Sequence, residues 1–144
     1  MIEVEATVEA TPESVWRVLA DGWLYPLWVV GASRIRQVDD TWPEPGSKIH
    51  HSVGLWPALI DDDTEVIECL PGSVIALRAK AWPAGEATVK VRLEPHGAGT
   101  RVRMQEDATA GPARLVPKPV RAPVVAMRNR ESLLRLGWLS ERRG

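Results

Sequence analysis

The spacing of apolar and polar residues changes along the chain, and each change predicts a different kind of element. Residues 2–10 alternate apolar or small side chains with polar ones, which is typical of a strand with one solvated face. Thr11 and Pro12 then predict a helix start, because threonine caps a helix N-terminus and proline fits the first helical position. We expect this helix to end by Gly22, and residues 25–31 to form a second short helix or a tight loop.

From residue 32 onward the apolar residues recur with a period of two, which predicts a series of short strands. The predicted strands cover residues 33–38, 48–54, 64–69, 73–81, 86–94 and 100–109. Glycine- and proline-rich turns separate them, so we expect an antiparallel meander. Asp61, Asp62 and Asp63 lack the ligand spacing of a calcium loop, so we interpret them as a solvated acidic turn before the third of these strands.

The C-terminal part of the chain predicts one long helix. Prolines 112, 117, 119 and 123 indicate an irregular or briefly helical connection, and residues 122–139 then follow a helical period over about 27 Å. An exposed stripe recurs every seven residues and consists of Arg121, Arg128, Arg135 and Arg142. The opposite face carries Val125, Asn129, Leu133 and Leu136. We therefore expect the helix to bury this second face.

Together these elements predict an α+β fold in which a curved antiparallel sheet needs a cover. Only the last helix is large enough to bury the apolar face of such a sheet. A strongly curved sheet around a single helix leaves residual space, so we expect a cavity between them. This cavity follows from the architecture and not from any single residue.

Length and composition fit one soluble domain over residues 1–144. Hydrophobic residues make up 44% and charged residues 26%, and no apolar run approaches the roughly 20 residues of a membrane span. The acidic, alternating N-terminus is unlike a signal peptide, so we expect a cytoplasmic protein. The single cysteine excludes an internal disulfide. We expect no cofactor and no metal, because the sequence has no phosphate-binding loop, dinucleotide motif or metal-ligand spacing.

Charge is distributed unevenly although the net charge is only −1. Residues 1–111 contain 10 basic and 17 acidic residues, whereas residues 112–144 contain 8 basic and 2 acidic ones. A basic C-terminal segment can hold an acidic partner, or it can simply complement the acidic body of the same protein. We expect no nucleic-acid partner, and either a monomer or a homodimer.

Short segments spread over nearly the whole chain resemble one known family. They are Thr11-Pro12-Glu13-Ser14-Val15-Trp16, Trp28-Val29-Val30-Gly31, Trp42-Pro43 with Gly46, His50-His51-Ser52-Val53-Gly54, Gly99-Thr100 and Arg128-Asn129-Arg130-Glu131-Ser132-Leu133. Together they resemble the START-related SRPBCC superfamily, and within it the bacterial polyketide cyclase/dehydrase and lipid-transport group. The resemblance implies a helix-grip fold, with a curved seven-stranded antiparallel sheet around a long C-terminal helix and two short helices after the first strand. It also implies binding of hydrophobic small molecules, lipid transport or polyketide cyclisation.

His51 and Glu106 are the main candidates for chemistry. His50 and His51 are adjacent in a predicted strand and point to opposite faces, so they cannot share one metal ion. His51 shares the parity of Ile49 and should face inward, either as a buried structural histidine or as a group that faces a ligand and transfers protons. Glu106 continues the inward parity of Met104, and it either anchors a ligand or turns outward at a strand break. A His51–Glu106 pair across the cavity is the catalytic hypothesis, and it requires both side chains on one face of the sheet.

Further candidate contacts come from the last helix and from the tryptophans. Asn129 lies on the apolar helix face, where its amide must bond either to a ligand or to the protein itself. Arg128 belongs to the exposed stripe, so we expect it to be solvated or at the rim of the cavity. The sequence has 7 Trp and no Phe, and most of the tryptophans fall on short helices, turns and strand ends. They either pack ordinary corners of the fold or line the pocket and its mouth.

The predicted ligand-binding set combines inward polar groups with apolar lining residues. It consists of Trp23, Trp28, His51, Trp56, Leu77, Trp82, Val89, Met104, Glu106, Val125 and Asn129. The favoured function is binding of a hydrophobic small molecule, such as a lipid or a polyketide-like or aromatic compound, in the cavity. One alternative is a polyketide cyclase/aromatase-type lyase or isomerase in which His51 and Glu106 move protons. Another is a protein-interaction module that uses the basic last helix.

Overall fold

The computed structural model describes residues 2–29, 34–53, 60–81, 85–111 and 115–143. The strands are β1 (Ile2–Val8), β2 (Arg34–Val38), β3 (Lys48–Val53), β4 (Ile60–Leu70), β5 (Val74–Ala81), β6 (Gly85–His96) and β7 (Gly99–Ala110). The helices are α1 (Pro12–Leu19), α2 (Tyr25–Trp28) and α3 (Lys118–Arg143), with a turn of 3₁₀ helix at Gly22–Leu24. The predicted order of elements is therefore confirmed.

All seven strands form one antiparallel sheet in the order β1-β7-β6-β5-β4-β3-β2. Consecutive strands from β2 to β7 are neighbours, and β1 closes the other edge by pairing with β7. The register shifts between Ile35 and Gln37, between Val66 and Glu68, and between Glu86 and Ala87. Such bulges bend a sheet locally, and the sheet curves around α3 as the helix-grip fold requires.

The long helix α3 packs its inner face against the sheet and the two short helices. Leu133 and Leu136 are fully buried on this face, and Asn129 is buried beside them. Gly137 permits a close approach to β1, because a Cβ atom there would lie 3.2 Å from the side chain of Val8. No helix within the described ranges combines the length and apolar character that are needed to cross a membrane.

Helix α1 begins as its sequence predicts. The Thr11 side chain accepts a hydrogen bond from the backbone N–H of Ser14 at 3.2 Å, and Pro12 occupies the first turn. This cap satisfies a backbone donor that the helix itself cannot satisfy. Val15 and Val18 are fully buried, so α1 closes one end of the core over the sheet.

Two boundaries differ from the sequence-based expectation. Residues 61–63 lie inside β4 and do not form a turn, and the Asp63 carboxylate lies 3.9 Å from Lys48 Nζ and 3.6 Å from Lys80 Nζ. Lysines on the two neighbouring strands thus pair with a charge that by itself disfavours a strand. Helix α3 begins at Lys118 and not at residue 122. Pro119 is compatible with this start, because proline lacks a backbone N–H and the N–H groups of the first turn have no acceptor within the helix.

Candidate functional site

Glu106 on β7 stands in a row of aliphatic side chains that crosses the inner face of the sheet. The residues in register with it are Ile2 on β1, Val89 on β6, Leu77 on β5 and Val66 on β4. All four are buried, and Glu106 itself is only 8% exposed. A carboxylate in such a row is costly unless it is paired and hydrogen-bonded. Of the two orientations that the sequence left open, Glu106 adopts the inward one.

Two residues of α3 provide that pairing. Arg128 Nη2 donates to both carboxylate oxygens of Glu106, at 2.6 and 2.5 Å, and Asn129 Nδ2 donates to Oε1 at 3.3 Å. The Arg128 side chain is 42% exposed, as expected for a solvated or rim residue, but its guanidinium also reaches inward to Glu106, which the sequence did not predict. The seven-residue spacing defines the direction of the Cα–Cβ bond but not the reach of a long side chain.

A second group of polar side chains lies on the same inner face. His51 Nε2 is hydrogen-bonded to Thr64 Oγ1 at 3.1 Å, and Thr64 is also hydrogen-bonded to Tyr25. All three residues are buried. Burial raises the pKa of Tyr25 above its ordinary value, the hydrogen bond from Thr64 lowers that pKa, and the Glu106 carboxylate raises it. Tyr25 is therefore a neutral phenol at neutral pH.

These two groups occupy one region of the interior, because the charges of both Glu106 and Arg128 act on the pKa of Tyr25. We call the combined set the interior polar cluster; it consists of Tyr25, His51, Thr64, Glu106, Arg128 and Asn129. The charges of Glu106 and Arg128 cancel each other within it. The Glu106–Arg128 pair can therefore take part in hydrogen bonds without contributing a net charge to the cluster.

The catalytic hypothesis needs His51 and Glu106 on one face of the sheet, and the structure places both on the inner face. Each is 8% exposed. Their hydrogen bonds nevertheless run to different partners, from His51 to Thr64 and from Glu106 to Arg128 and Asn129. A proton-transfer role for the pair stays a prediction.

Most of the predicted apolar lining surrounds this cluster. Leu77, Val89 and Met104 are buried on the sheet, with exposures of 2%, 8% and 3%, and Val125 is half-buried on α3. Val89 is the direct cross-strand partner of Glu106. These side chains place a small number of polar groups among apolar ones, and a ligand cavity between the sheet and α3 stays a prediction.

The tryptophans separate into interior and surface residues. Trp28 is 3% exposed, and its ring centroid lies 5.7 Å from that of Tyr25 at an interplanar angle of 59°. Trp23 is 58% exposed and lines a shallow outer groove of about 440 Å³ with Trp16 and Trp42. The 3₁₀ turn at Gly22–Leu24 directs the Trp23 side chain outward, and a place for Trp23 at the mouth of the pocket stays a prediction. The candidates Trp56 and Trp82 lie outside the described residues.

Sequence analysis overlooked three members of the cluster. Thr64 has the same inward parity as Val66, which could have marked it as an inner-face residue. Tyr25 is the only tyrosine and begins α2, between Trp23 and Trp28 in the sequence. Arg128 was assigned by its spacing to an exposed stripe. Each residue carried a local signal, but none of these signals identifies a hydrogen-bond partner on another element.

No site for a metal ion and no reactive thiol is found in the described part of the chain. Its ranges contain no group of three or more His, Cys, Asp or Glu residues that could hold a metal ion. Cys69 is half-buried, and burial followed by the charge of Glu44 raises the pKa of its thiol. A raised pKa disfavours the thiolate, which is the nucleophilic form.

Comparisons with known proteins agree with this architecture. The model of the family described as "Polyketide cyclase / dehydrase and lipid transport" matches residues 1–139. Protein MLL2253 from Mesorhizobium loti is 21% identical, with a TM-score of 0.71 over 99% of this chain and 98% of its own. The di-domain ARO/CYC StfQ from the steffimycin biosynthetic pathway has a TM-score of 0.73 at 14% identity, over 98% of this chain and 50% of StfQ. Ara h 8.0201 has a TM-score of 0.65 at 14% identity over 96% of both chains. A comparison with curated proteins finds no match.

Proposed function

This chain belongs to the polyketide cyclase/dehydrase and lipid transport family, and from that premise we propose that it binds a hydrophobic small molecule between the sheet and α3. The observation that carries the proposal is the interior polar cluster within an aliphatic wall. The Glu106 carboxylate lies in register with Ile2, Val89 and Leu77, so it and its partners place hydrogen-bonding groups on an otherwise aliphatic face. Polar groups held on such a face can orient a ligand whose remaining surface is apolar.

The chemistry of the cluster favours a neutral ligand with a carbonyl or hydroxyl group. Because Glu106 and Arg128 compensate each other, a charged ligand group would lose its hydration and gain no net opposite charge. The guanidinium, the Asn129 amide and the Tyr25 phenol can all hydrogen-bond to a neutral oxygen. The ligand class is therefore a largely apolar molecule with oxygen substituents, which includes lipids and polyketide-like aromatic compounds.

Affinity in such a site comes mainly from apolar contact. Burial contributes about 25 cal/mol per Å² of apolar surface before the costs of association are subtracted. A hydrogen bond to the cluster adds about 1 kcal/mol, and more importantly it leaves fewer buried polar groups unsatisfied. The polar cluster thus selects and orients the ligand, while Leu77, Val89 and Met104 supply the contact surface.

Equilibrium dialysis against fluorenone and fluorene tests this proposal, because the two compounds differ only in a ketone. We expect fluorenone to bind about five-fold more tightly, since only its oxygen can bond to the cluster. The Arg128→Gln substitution should remove this preference. Arg130→Gln is the matched control, because Arg130 is exposed on the same helix and should leave the preference unchanged. Equal binding of both compounds to the unmodified protein would contradict the proposed role of the cluster.

A cyclase or aromatase reaction is the second candidate, and the chain of hydrogen bonds from His51 through Thr64 to Tyr25 favours it. In such a reaction His51 would accept a proton from an enolisable carbon, and a neutral phenol would donate a hydrogen bond to the developing enolate oxygen. Glu106 would then position Arg128 and Asn129, because Arg128 occupies both of its oxygens. If the protein catalyses this reaction, His51→Ala should lower the turnover rate far more than it weakens substrate binding. If the protein only binds its ligand, the same variant should show a modest change in affinity alone.

The third candidate, an interaction module built on the arginine stripe, has less support. Arg121 lies 4.0 Å from Asp107, Arg128 bonds to Glu106, and Arg135 lies 3.2 Å from Glu131. Arginines that are already paired within the chain have less to gain from an acidic partner protein. A cytoplasmic location and a monomeric or homodimeric state stay predictions of the sequence.

A further inference from the structure

The outer side of α3 carries a row of exposed apolar side chains, two of which, Leu134 and Trp138, also line a groove of about 530 Å³ between α3 and β1. The row consists of Val120, Val124, Met127, Leu134 and Trp138, which are 63%, 63%, 67%, 66% and 57% exposed. Residues separated by three, four and seven positions lie on one side of a helix, so the five side chains form a continuous row. We call this row the outer apolar face; among residues 120–138, Glu131 alone interrupts its spacing.

Basic residues flank this face. Arg130 and Arg142 are exposed beside the row, and the Arg142 guanidinium lies 4.0 Å above the ring of Trp138. The C-terminal segment from residue 112 holds 8 basic and 2 acidic residues, so this side of the molecule is positively charged.

We propose that the outer apolar face of α3 docks the protein on the surface of a membrane that contains anionic lipids. An apolar row flanked by basic side chains is the arrangement with which a helix lies in the plane of a lipid interface. The apolar side chains enter the region between headgroups and acyl chains, and the exposed arginines meet the lipid phosphates. Helix α3 stays on the fold and does not cross the bilayer.

A second copy of the chain is a less suitable occupant of this face. Two such faces packed together would bring their rows of arginine side chains next to each other, and like charges oppose that contact. A membrane with anionic lipids supplies the opposite charge together with an apolar phase. The charge complementarity therefore favours the lipid surface.

This inference goes beyond ligand binding, and it rests on different residues from the interior polar cluster. A protein that carries an apolar molecule gains access to membrane-dissolved ligands when it docks, but docking itself needs no bound ligand. The test therefore uses the protein without added ligand. Its failure would leave the ligand proposal intact, and failure of the ligand proposal would leave docking intact.

Cosedimentation with vesicles of phosphatidylcholine, with and without phosphatidylglycerol, tests the proposal directly. We expect the protein to sediment with the anionic vesicles, and added salt to weaken this binding. The variant Arg130→Gln/Leu134→Ser removes one basic group and one apolar side chain from the outer face. Its partitioning should fall about 50-fold, since each change contributes about five- to ten-fold.

The matched control is Leu70→Ser/Arg92→Gln, which changes an exposed leucine and an exposed arginine away from α3. It should partition like the unmodified protein, and circular dichroism confirms that both variants are folded. Absence of binding to anionic vesicles by the unmodified protein, or equal loss in both variants, would overturn the proposal. A concentration-dependent dimer that only Arg130→Gln/Leu134→Ser dissociates would also overturn it, because the face would then be an interface between two copies.

Discussion

Arg128 connects the surface of α3 with the interior of the sheet by donating to both carboxylate oxygens of Glu106, at 2.6 and 2.5 Å. The pair joins the last helix to β7 at a position where the neighbouring strands contribute only aliphatic side chains. The same guanidinium compensates the charge of the Glu106 carboxylate. We therefore expect the stability of the fold, and the ligand selectivity proposed above, to depend on this ion pair.

Replacing Arg128 by Met should lower the free energy of unfolding by about 2 kcal/mol. This value lies between the effects expected for an exposed and a buried ion pair, because Arg128 is 42% exposed and Glu106 is buried. Urea denaturation measures the change. Arg130→Met is the control and should alter stability by less than about 0.5 kcal/mol.

A double-mutant cycle distinguishes this ion pair from simple loss of packing. Glu106→Leu/Arg128→Met should be more stable than Arg128→Met alone. In Arg128→Met the buried Glu106 carboxylate has lost its partner, and Glu106→Leu removes that carboxylate. If the change in the free energy of unfolding of the double variant instead equals the sum of the changes in the two single variants, the two residues do not interact energetically.

Tyr25 should ionise only at a pH above the ordinary value of 10.0, because burial raises its pKa. The chain contains a single tyrosine, so the near-ultraviolet absorbance of tyrosinate reports this residue alone. Glu106→Gln should lower the pKa of Tyr25, because it removes a nearby negative charge and leaves the charge of Arg128 uncompensated. Thr64→Val should raise that pKa, because the hydrogen bond from Thr64 lowers it. Equal titration curves for all three proteins would show that neither Glu106 nor Thr64 influences the pKa of Tyr25.

The same pKa defines how this residue affects stability at alkaline pH. A phenol whose pKa is raised in the folded state contributes stability that is fully present below the unfolded value of 10.0. That contribution is lost as the pH rises through the higher folded value. The free energy of unfolding should therefore fall above pH 10.0 in the unmodified protein, and more weakly in Tyr25→Phe.

Ligand binding should change the fluorescence of Trp28 and not that of Trp23. Trp28 is buried and lies 5.7 Å from the Tyr25 ring, whereas Trp23 is 58% exposed on the outer groove. Trp28→Phe should therefore reduce the response to fluorenone, and Trp23→Phe should retain it. If the fluorescence response to fluorenone is instead lost in Trp23→Phe, the compound binds in the outer groove.

The regular pattern of the sequence sufficed for the fold and for the orientation of the strands. Alternation predicts that His51 faces inward and leaves Glu106 either inward or turned outward at a strand break, and the helical period predicts that Asn129 and Leu133 lie on the buried face. The partners of these side chains could not be predicted in this way. Arg128 pairs with Glu106 because a long side chain crosses from one element to another, and periodicity within α3 contains no information on that distance. Asp63 was assigned to a turn for the same reason, since Lys48 and Lys80 are brought beside it only by strand pairing.

Native mass spectrometry of the protein purified from its own organism tests the central claim of interior ligand binding most directly. We predict a non-covalent complex with a largely apolar molecule that carries a carbonyl or hydroxyl group. The complex should persist in Arg130→Gln and decrease in Arg128→Gln. Detection of the unliganded mass alone, together with no uptake of fluorenone by the same preparation, would contradict the claim.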